Sequence, residues 1–333
     1  MRIGIIGVGR IGALHAETLH SLAEVDELTI VDADAARARH LAAKMGVPWA
    51  EDSADLLRQH VDGIVIATPT ATHARLICSA AEAGVAVFCE KPVAADVAGT
   101  KEVVRVVESS GAQVQIGFQR RFDAGFVAAR GQVLANKLGW LHTVRAGTLD
   151  PAPPPASYVA TSGGIFRDCS VHDIDAVRWV TGREVNEVYA TGSNRGAAFF
   201  GQAGDVDTAA ALLSLDDGTL ALISATRYNA AGYDVRLELL GSEGSISVGL
   251  DDRSPLRSAE PGVSWPAGTA YANFLDRFRG AYVAELEAFV EVVSGRAANP
   301  CSPADALETF YVAEACELSR RQRRPVNMEE VRV

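Results

Sequence analysis

The feature that most constrains the fold is the opening segment, in which a short apolar run leads into a glycine-rich turn. Residues 2–12 read RIGIIGVGRIG, with glycines at positions 7, 9 and 12. In a Gly-x-Gly-x-x-Gly turn the first glycine permits a tight bend, the second lets backbone approach a pyrophosphate, and the third lets a helix pack on a strand. The phosphates then lie at the positive end of that helix. The segment predicts a strand over 2–6, a phosphate-binding turn and a helix over 13–22.

The residue that follows the second predicted strand indicates which dinucleotide binds. That strand covers 27–31 and is followed by Asp32, at the spacing of about 20 residues past the last glycine that the fingerprint requires. Asp32 is expected to accept hydrogen bonds from both adenosine ribose hydroxyls and to repel a 2′-phosphate. The sequence therefore predicts NAD rather than NADP. Arg37 and Arg39 come shortly afterwards and are interpreted as a solvated helix face.

Strand-like and helix-like stretches alternate as far as residue 118, which predicts a parallel sheet with right-handed crossovers. We therefore expect an α/β Rossmann domain over residues 1–119. Ligands bind such sheets at the carboxyl ends of the strands, so Thr68 and His73 are expected to border the dinucleotide. An alternative for His73 is that it only caps or packs at its own helix.

Beyond residue 119 the pattern changes to short strands joined by tight turns, such as those at 216–218 and 241–244. Hairpin connections of this kind are typical of an antiparallel sheet. Residues 120–333 are therefore expected to form an α+β domain with a large, mostly antiparallel, open-faced sheet. The runs at 209–213 and 220–223 are apolar at successive positions, so both faces of their strands are apolar. This pattern predicts that the open face is buried against another subunit.

A lysine stands at the end of a predicted strand, in the segment Phe88-Cys89-Glu90-Lys91-Pro92. A residue before proline favours extended backbone, and the bond to proline can be cis, which would aim Lys91 towards a bound ligand. Its ammonium group could polarise a substrate oxygen. The alternative is an exposed loop lysine.

A second segment with chemical potential is TSGGIFRDCSVHDIDAVRW at 161–179. At 100° per residue Asp168, His172, Asp175 and Trp179 fall on one helix face. A histidine held one turn from an acid is suited to act as general base for a hydroxyl proton. The alternative is that Asp168 caps the helix and His172 is a hydrogen-bonded core histidine.

Composition excludes several classes of partner. The formal net charge of −11 argues against nucleic acid or an anionic membrane, because both require a basic face. Five cysteines without a CxxC pair favour reduced thiols over disulfides or zinc, and Cys169 is interpreted as structural. No metal is expected. The chain shows neither a signal-like start nor a run of about 18 apolar residues, so we expect a cytoplasmic protein.

These motifs together resemble the glucose–fructose oxidoreductase/inositol dehydrogenase (Gfo/Idh/MocA) family. The Gly-x-Gly-x-x-Gly start, the EKP motif and the GG…D-x-x-x-H-D-I-D helix carry the resemblance, which covers nearly the whole chain. Within the family it is closest to inositol 2-dehydrogenases, through GDVDT at 204–208, AGYDVRLELLGSEGSI at 231–246 and FLDRFRGAYVAELEAFV at 274–290. Asp150, where some inositol enzymes have asparagine, and the Pro-rich loop at 151–155 depart from the family pattern. These departures bear on the substrate more than on the reaction.

The resemblance implies NAD-dependent oxidation of a ring secondary alcohol of a cyclic polyol by a homotetramer built through the open sheet face. The expected reaction is that of an inositol 2-dehydrogenase, from myo-inositol to the 2-keto product. Alternatives are a dehydrogenase of an aldose, an anhydro-sugar or another inositol isomer, and a non-catalytic dinucleotide-sensing regulator. The expected catalytic residues are Lys91, Asp168 and His172. The expected cofactor-binding residues are Gly7, Gly9, Arg10, Ile11, Gly12, Asp32, Thr68, Thr70, His73, Glu90, Lys91 and Gln119. The expected substrate-binding residues are Lys91, Gln119, Asp150, Asp168, His172 and Tyr233.

Overall fold

Five parallel strands form the sheet of the first of two units into which the chain divides. This computed structural model describes residues 1–332, and the first unit consists of Met1–Gln119 and Tyr282–Glu308. Its strands are β1 (Arg2–Ile6), β2 (Glu27–Val31), β3 (Gly63–Ile66), β4 (Ala86–Glu90) and β5 (Val114–Gly117). They lie in the order β2-β1-β3-β4-β5, and all neighbours pair in parallel. The predicted parallel sheet is confirmed.

Helices connect these strands, and aspartates set the starts of several of them. The helices are α1 (Arg10–Ser21), α2 (Ala35–Met45), α3 (Ser53–Arg58), α4 (His73–Glu82) and α5 (Val97–Ser110). Asp34 accepts hydrogen bonds from the first amides of α2, and Asp96 accepts one from the amide of Gly99 in α5. These caps satisfy amides that the helix itself leaves without partners.

The first unit also contains a segment from late in the chain, residues 282–308. Leu286 and Phe289 belong to the same buried core as Ile3 and Phe88, and the rings of Phe88 and Phe289 lie 5.9 Å apart. The division after Gln119 coincides with the predicted domain boundary. The expected continuous second domain over 120–333 differs from the structure, because the apolar side chains of 282–308 complete the core of the first unit.

The second unit begins at Arg120, is interrupted by residues 282–308 and resumes at Thr309. It contains a seven-stranded mixed sheet. Its strands are β6 (Leu141–Leu149), β7 (Val185–Ser193), β8 (Thr208–Leu215), β9 (Leu220–Thr226), β10 (Asp234–Gly241), β11 (Ser245–Val248) and β12 (Val326–Asn327). The order is β11-β10-β6-β9-β8-β7-β12. The pair β6 and β9 is parallel, whereas every other neighbouring pair is antiparallel. The expected mostly antiparallel sheet is confirmed.

The remaining helices are α6 (Ala124–Leu134), α7 (Ala156–Val159), α8 (Val171–Thr181), α9 (Phe199–Gln202), α10 (Phe274–Val293) and α11 (Pro303–Gln322). A π-helical turn, Phe166–Ser170, leads directly into α8. Short 3₁₀ turns cover Thr70–Thr72, Gln119–Phe122 and Met328–Glu330. Within residues 1–332, no helix combines the length and apolar character that crossing a membrane requires.

The sheet of the second unit has one buried face and one face that is exposed in the single chain. Burial alternates along β8 and β9. On the exposed face, Tyr189 pairs with Leu212 and Leu212 with Leu222, so one apolar row crosses β7, β8 and β9. These three side chains are 40–45% exposed. The sequence correctly indicated that both faces are apolar.

Candidate functional site

Each of the three glycines that open the chain shows a different steric requirement. A side chain on Gly7, whose φ is +90°, would meet the backbone of Ala67 at 2.8 Å. One on Gly12 would lie 1.9 Å from the carbonyl oxygen of Gly7. Gly9 has no atom within 4 Å of such a position, and it begins α1 without a side-chain cap. Gly7 therefore makes the turn, Gly12 allows the close packing, and Gly9 leaves open space before a helix N-terminus, which fits a pyrophosphate.

Asp32 lies at the carboxyl end of β2, buried and held by backbone amides. Its Oδ2 accepts from the amide of Val8 at 2.8 Å, and its Oδ1 accepts from that of Asp34 at 2.8 Å. Arg37 Nη1 forms an ion pair with Asp32 Oδ1 at 3.3 Å. Arg37 and Arg39 are both exposed, as expected for a solvated helix face, and 53% of the Arg37 side chain stays accessible beside Asp32. The guanidinium of Arg39 stacks 4.5 Å from the centre of the Trp49 ring. Arg37 offsets part of the charge with which Asp32 would repel a 2′-phosphate.

His73 connects the backbone segments that follow β3 and β4. Its Nδ1 lies 2.7 Å from the carbonyl oxygen of Pro92, and its Nε2 lies 2.8 Å from that of Thr68. The ring is buried. This geometry supports the packing alternative for His73. Thr68 shares a hydrogen bond of 2.6 Å with Thr72, whose 3₁₀ turn begins at Thr70.

Lys91 follows directly after β4 and is partly buried, and its bond to Pro92 is cis. The preceding residue, Glu90, accepts a hydrogen bond from His15 Nε2 at 2.7 Å. Gln119, the last residue of the first stretch of this unit, is buried at the start of a 3₁₀ turn. Other expected cofactor residues, Arg10 and Ile11, form the first turn of α1. The first unit thus gathers the expected dinucleotide residues at the carboxyl ends of its strands.

In the second unit, a glycine pair leads the chain into the π-helical turn that carries Asp168. Gly163 and Gly164 have φ values of +83° and +97°, which residues with a side chain rarely adopt. Asp205 accepts from the amide of Ile165 at 3.0 Å and so fixes the start of the turn. Asp168 lies inside this turn and is not its cap. His172 follows in the first turn of α8.

Asp168 and Asp150 are bound by the same arginine. Arg227 Nη1 donates to Asp150 Oδ2 at 2.7 Å, and Arg227 Nη2 donates to Asp168 Oδ2 at 2.6 Å. The Tyr158 hydroxyl donates to Asp168 Oδ1 at 2.8 Å. Burial alone would lower the pKa of Arg227, but the acidic groups around it raise that pKa. A permanently charged fork therefore fixes the orientation of both carboxylates.

Sequence reasoning missed Arg227 and Tyr158. Arg227 is the first residue after β9, and Tyr158 lies on α7, directly after the Pro-rich loop. One sequence feature could have indicated Arg227. It follows directly after the apolar strand β9, just as Asp150 follows directly after β6. The loop at 151–155, unusual in the sequence, leads to the helix that brings the Tyr158 hydroxyl to Asp168.

Tyr233 and Cys169 lie buried near the same acids. Burial raises the pKa of Tyr233 and the charge of Asp150 raises it further, whereas Arg120 lowers it. Burial likewise raises the pKa of Cys169, so this residue is a neutral thiol. Cys169 is buried, which supports its interpretation as a structural residue, and all five cysteines are free. The expected substrate residues Asp150, Asp168, His172 and Tyr233 all belong to the second unit.

The other two acids of the His-Asp-Ile-Asp sequence form buried ion pairs. Arg120 Nη1 donates to Asp173 at 2.7 Å, and Arg121 binds both oxygens of Asp175, at 3.0 and 2.7 Å. Burial raises the pKa of Asp173, and Arg120 opposes this shift. Asp175, which was expected on one helix face with Asp168 and His172, is thus a buried partner of Arg121. A π turn closes hydrogen bonds over five residues rather than the four of an α-helix and so displaces Asp168 from the α-helical register.

Comparisons with known proteins identify the family of this chain. Residues 1–118 match the oxidoreductase family with an NAD-binding Rossmann fold, and residues 126–247 match the GFO/IDH/MocA C-terminal domain. The chain therefore belongs to the GFO/IDH/MocA family of oxidoreductases and is an NAD-dependent dehydrogenase acting on CH–OH groups.

Individual relatives extend the similarity over the whole chain. The chain is 36% identical to the myo-inositol 2-dehydrogenase of Thermotoga maritima, over 99% of both chains. The crystal structure of a probable dehydrogenase from Thermotoga maritima superposes with a TM-score of 0.93 at 34% identity, covering 99% of this chain and 100% of that one. A scyllo-inositol dehydrogenase from Lactobacillus casei, solved with NAD(H) and scyllo-inositol, gives a TM-score of 0.89 at 30% identity, over 99% of both chains.

Proposed function

We propose that this chain is an inositol 2-dehydrogenase, which oxidises the 2-hydroxyl of myo-inositol to a ketone with NAD. The observation that carries the proposal is the pair Asp150 and Asp168, both fixed by Arg227 in the unit that also contains His172. Two oriented carboxylates are suited to accept hydrogen bonds from neighbouring hydroxyls of a polyol ring. The names of the relatives support inositol as that polyol.

In the proposed mechanism, His172 takes the proton of the reacting hydroxyl as general base. Lys91 stabilises the negative charge that develops on the alkoxide-like oxygen. Asp168, held by Arg227 and Tyr158, orients the substrate and balances the charge of the protonated histidine. Bound NAD supplies the nicotinamide that accepts hydride. The open space at Gly9 and the carboxylate of Asp32 are assigned to its pyrophosphate and adenosine ribose.

The test is to follow NAD reduction at 340 nm with myo-, scyllo- and chiro-inositol, glucose, xylose and galactose, and to repeat the panel with NADP. Turnover of myo-inositol with NAD is expected. If only scyllo-inositol is turned over, the proposed reaction stands but the substrate is scyllo-inositol rather than myo-inositol. Turnover of sugars alone would overturn inositol as the substrate. If no substrate of the panel is turned over but NADH still binds, a dinucleotide-sensing regulator is favoured.

The roles of His172 and Lys91 are tested by variants. General acid–base assistance contributes about 10²- to 10⁴-fold, so His172→Ala and Lys91→Ala should lose most of kcat. NADH affinity, measured by fluorescence, should stay near the wild-type value. Unchanged turnover in either variant would refute its assigned role.

We also propose a cytoplasmic homotetramer that associates through the exposed sheet face. Five free cysteines support the reducing compartment. The row of Tyr189, Leu212 and Leu222 supports the interface, because exposed apolar patches mark association sites. Light scattering should show that Leu212→Glu/Leu222→Glu dissociates the assembly. Leu256→Glu, at an exposed leucine outside the sheet, is the control. An unchanged mass for the double variant would exclude this face.

A further inference from the structure

Three titratable groups meet in the interior of the first unit, apart from the expected polyol residues. His15 on α1, Glu90 at the end of β4 and Glu285 on α10 place ligand-type atoms within 4.8 Å of one another. The side chains of His15 and Glu285 are fully buried. His15 Nε2 lies 2.7 Å from Glu90 Oε1, whereas His15 Nδ1 and both Glu285 carboxyl oxygens have no hydrogen-bond partner.

The surroundings of this cluster are mostly apolar. The rings of Phe88 and Tyr282 lie 5.5 and 5.9 Å from the ring of His15. Three further polar residues lie next to members of the cluster, either along the chain or through a hydrogen bond. Cys89 on β4 is a buried thiol whose pKa is raised by burial and by Glu90, Gln115 on β5 donates to the backbone carbonyl of Glu285, and Lys91 follows Glu90.

Glu285 is fully buried and the Glu90 side chain is 15% exposed, so ionising both carboxyl groups this close together is unfavourable without a compensating cation. Burial raises the pKa of Glu285 well above its ordinary value, and the charge of Glu90 raises it further. Glu90 already has a hydrogen-bonding partner in His15, so it is the group better suited to carry the negative charge. The remaining requirement is one positive charge or proton at Glu285.

We propose that His15, Glu90 and Glu285 form a cluster that keeps one proton on Glu285 and positions Lys91. Glu285 holds a proton and is neutral, His15 donates its Nε2 hydrogen to Glu90, and Glu90 fixes the backbone from which Lys91 extends. The part of this proposal that concerns Lys91 rests on the proposed dehydrogenase function. The proton on Glu285 does not depend on it.

The geometry favours a proton over a metal ion. The separation of 2.7 Å between His15 Nε2 and Glu90 Oε1 is that of a direct hydrogen bond. A zinc ion bound by both atoms at about 2.0–2.2 Å in tetrahedral geometry would hold them more than about 3 Å apart. A metal would therefore require the pair to separate.

The first experiment measures stability against pH and needs no substrate. The unfolded chain releases the Glu285 proton near its ordinary pKa, while the folded chain retains it, so wild-type stability falls as pH rises above that value. Glu285→Gln mimics the neutral carboxyl and removes this fall. The equilibrium constant for unfolding of the wild type should therefore rise relative to that of the variant, by up to about tenfold per pH unit.

Glu287→Gln is the matched control, because Glu287 is an exposed glutamate on the same helix. Its stability relative to wild type should not change with pH. If Glu285→Gln behaves like this control, Glu285 is ionised and the proposal fails. If EDTA lowers the Tm of the wild type, and zinc restores it, but neither affects Glu285→Gln, the site holds a metal and the proposal also fails.

The second experiment tests the positioning of Lys91 by comparing two substitutions of His15. His15→Gln can still donate a hydrogen bond to Glu90, whereas His15→Leu cannot. His15→Leu should lower kcat by about tenfold or more with little change in the KM for polyol, and His15→Gln should recover most of it. Equal kcat in both variants at matched Tm would show that the cluster has no positioning role.

Discussion

The role of Arg227 can be tested most sharply by replacing it with lysine. The side chain of Arg227 is 6% exposed, and those of its partners Asp150 and Asp168 are 21% and 11% exposed. Lysine retains the charge but lacks the rigid fork that reaches both acids. Arg227→Lys therefore loses one of two charge-assisted hydrogen bonds, each contributing about 1.5–3 kcal/mol.

If that loss is felt in the transition state, kcat/KM for the polyol should fall by about ten- to a hundredfold. The assay is NAD reduction at 340 nm, with the KM for NAD measured in parallel and expected to stay constant. Arg227→Met should lower kcat/KM further, because it removes both hydrogen bonds and the positive charge that orient the two partly buried carboxylates.

Arg324→Lys is the control, since Arg324 forms a similar fork with Glu330 at 3.0 and 2.6 Å but on the exposed surface. Such exposed pairs contribute about 0–1 kcal/mol, so kcat/KM should not change. If Arg227→Lys matches this control, the two acids do not depend on the fork. A change confined to the KM for NAD would place Arg227 outside the polyol site.

Three further outcomes follow from the geometry. Gly9→Ala should keep the wild-type Tm in calorimetry but lose NAD binding in titration. Gly12→Ala, with its Cβ 1.9 Å from the Gly7 carbonyl oxygen, should lose about 1–3 kcal/mol of stability. Loss of stability in Gly9→Ala and loss of NAD binding alone in Gly12→Ala would show that the pyrophosphate does not bind at Gly9. Asp32→Ala should narrow the preference for NAD over NADP in kcat/KM, and an unchanged ratio would remove Asp32 from its ribose role. Tyr158→Phe should lower kcat/KM for the polyol by about tenfold through loss of one bond to Asp168, and full activity would show that Arg227 alone suffices.

The sequence was most informative where the determinants are local. The glycine turn, Asp32 and the Lys91–Pro92 step could be interpreted from neighbouring residues, because a turn, a strand end and an X-Pro bond depend on a few adjacent positions. The first strand and the alternation of strands and helices were correct for the same reason.

Pairings between distant residues could not be predicted. Arg227 binds acids 77 and 59 positions earlier in the chain, and Arg121 binds Asp175 54 positions later. The periodicity of the sequence does not show which distant residues form ion pairs. Taken alone, a charged residue of either sign is interpreted as a solvated surface residue. The π turn at Asp168 was missed because helical pattern analysis assumes 3.6 residues per turn.

The first unit is built from two separate stretches of chain, and this affects how it folds during synthesis. Its core needs Leu286 and Phe289, which follow Gln119 in the chain by more than 160 residues. At about 5–20 residues per second, the ribosome needs roughly 10–40 s to pass from residue 119 to residue 308. During this interval the five strands of the parallel sheet can all have been made, while part of the apolar surface that Phe289 covers stays open. A chaperone that binds emerging apolar segments would have its main opportunity there, and synthesis rate would affect the yield of this enzyme more than that of one with a contiguous nucleotide-binding unit.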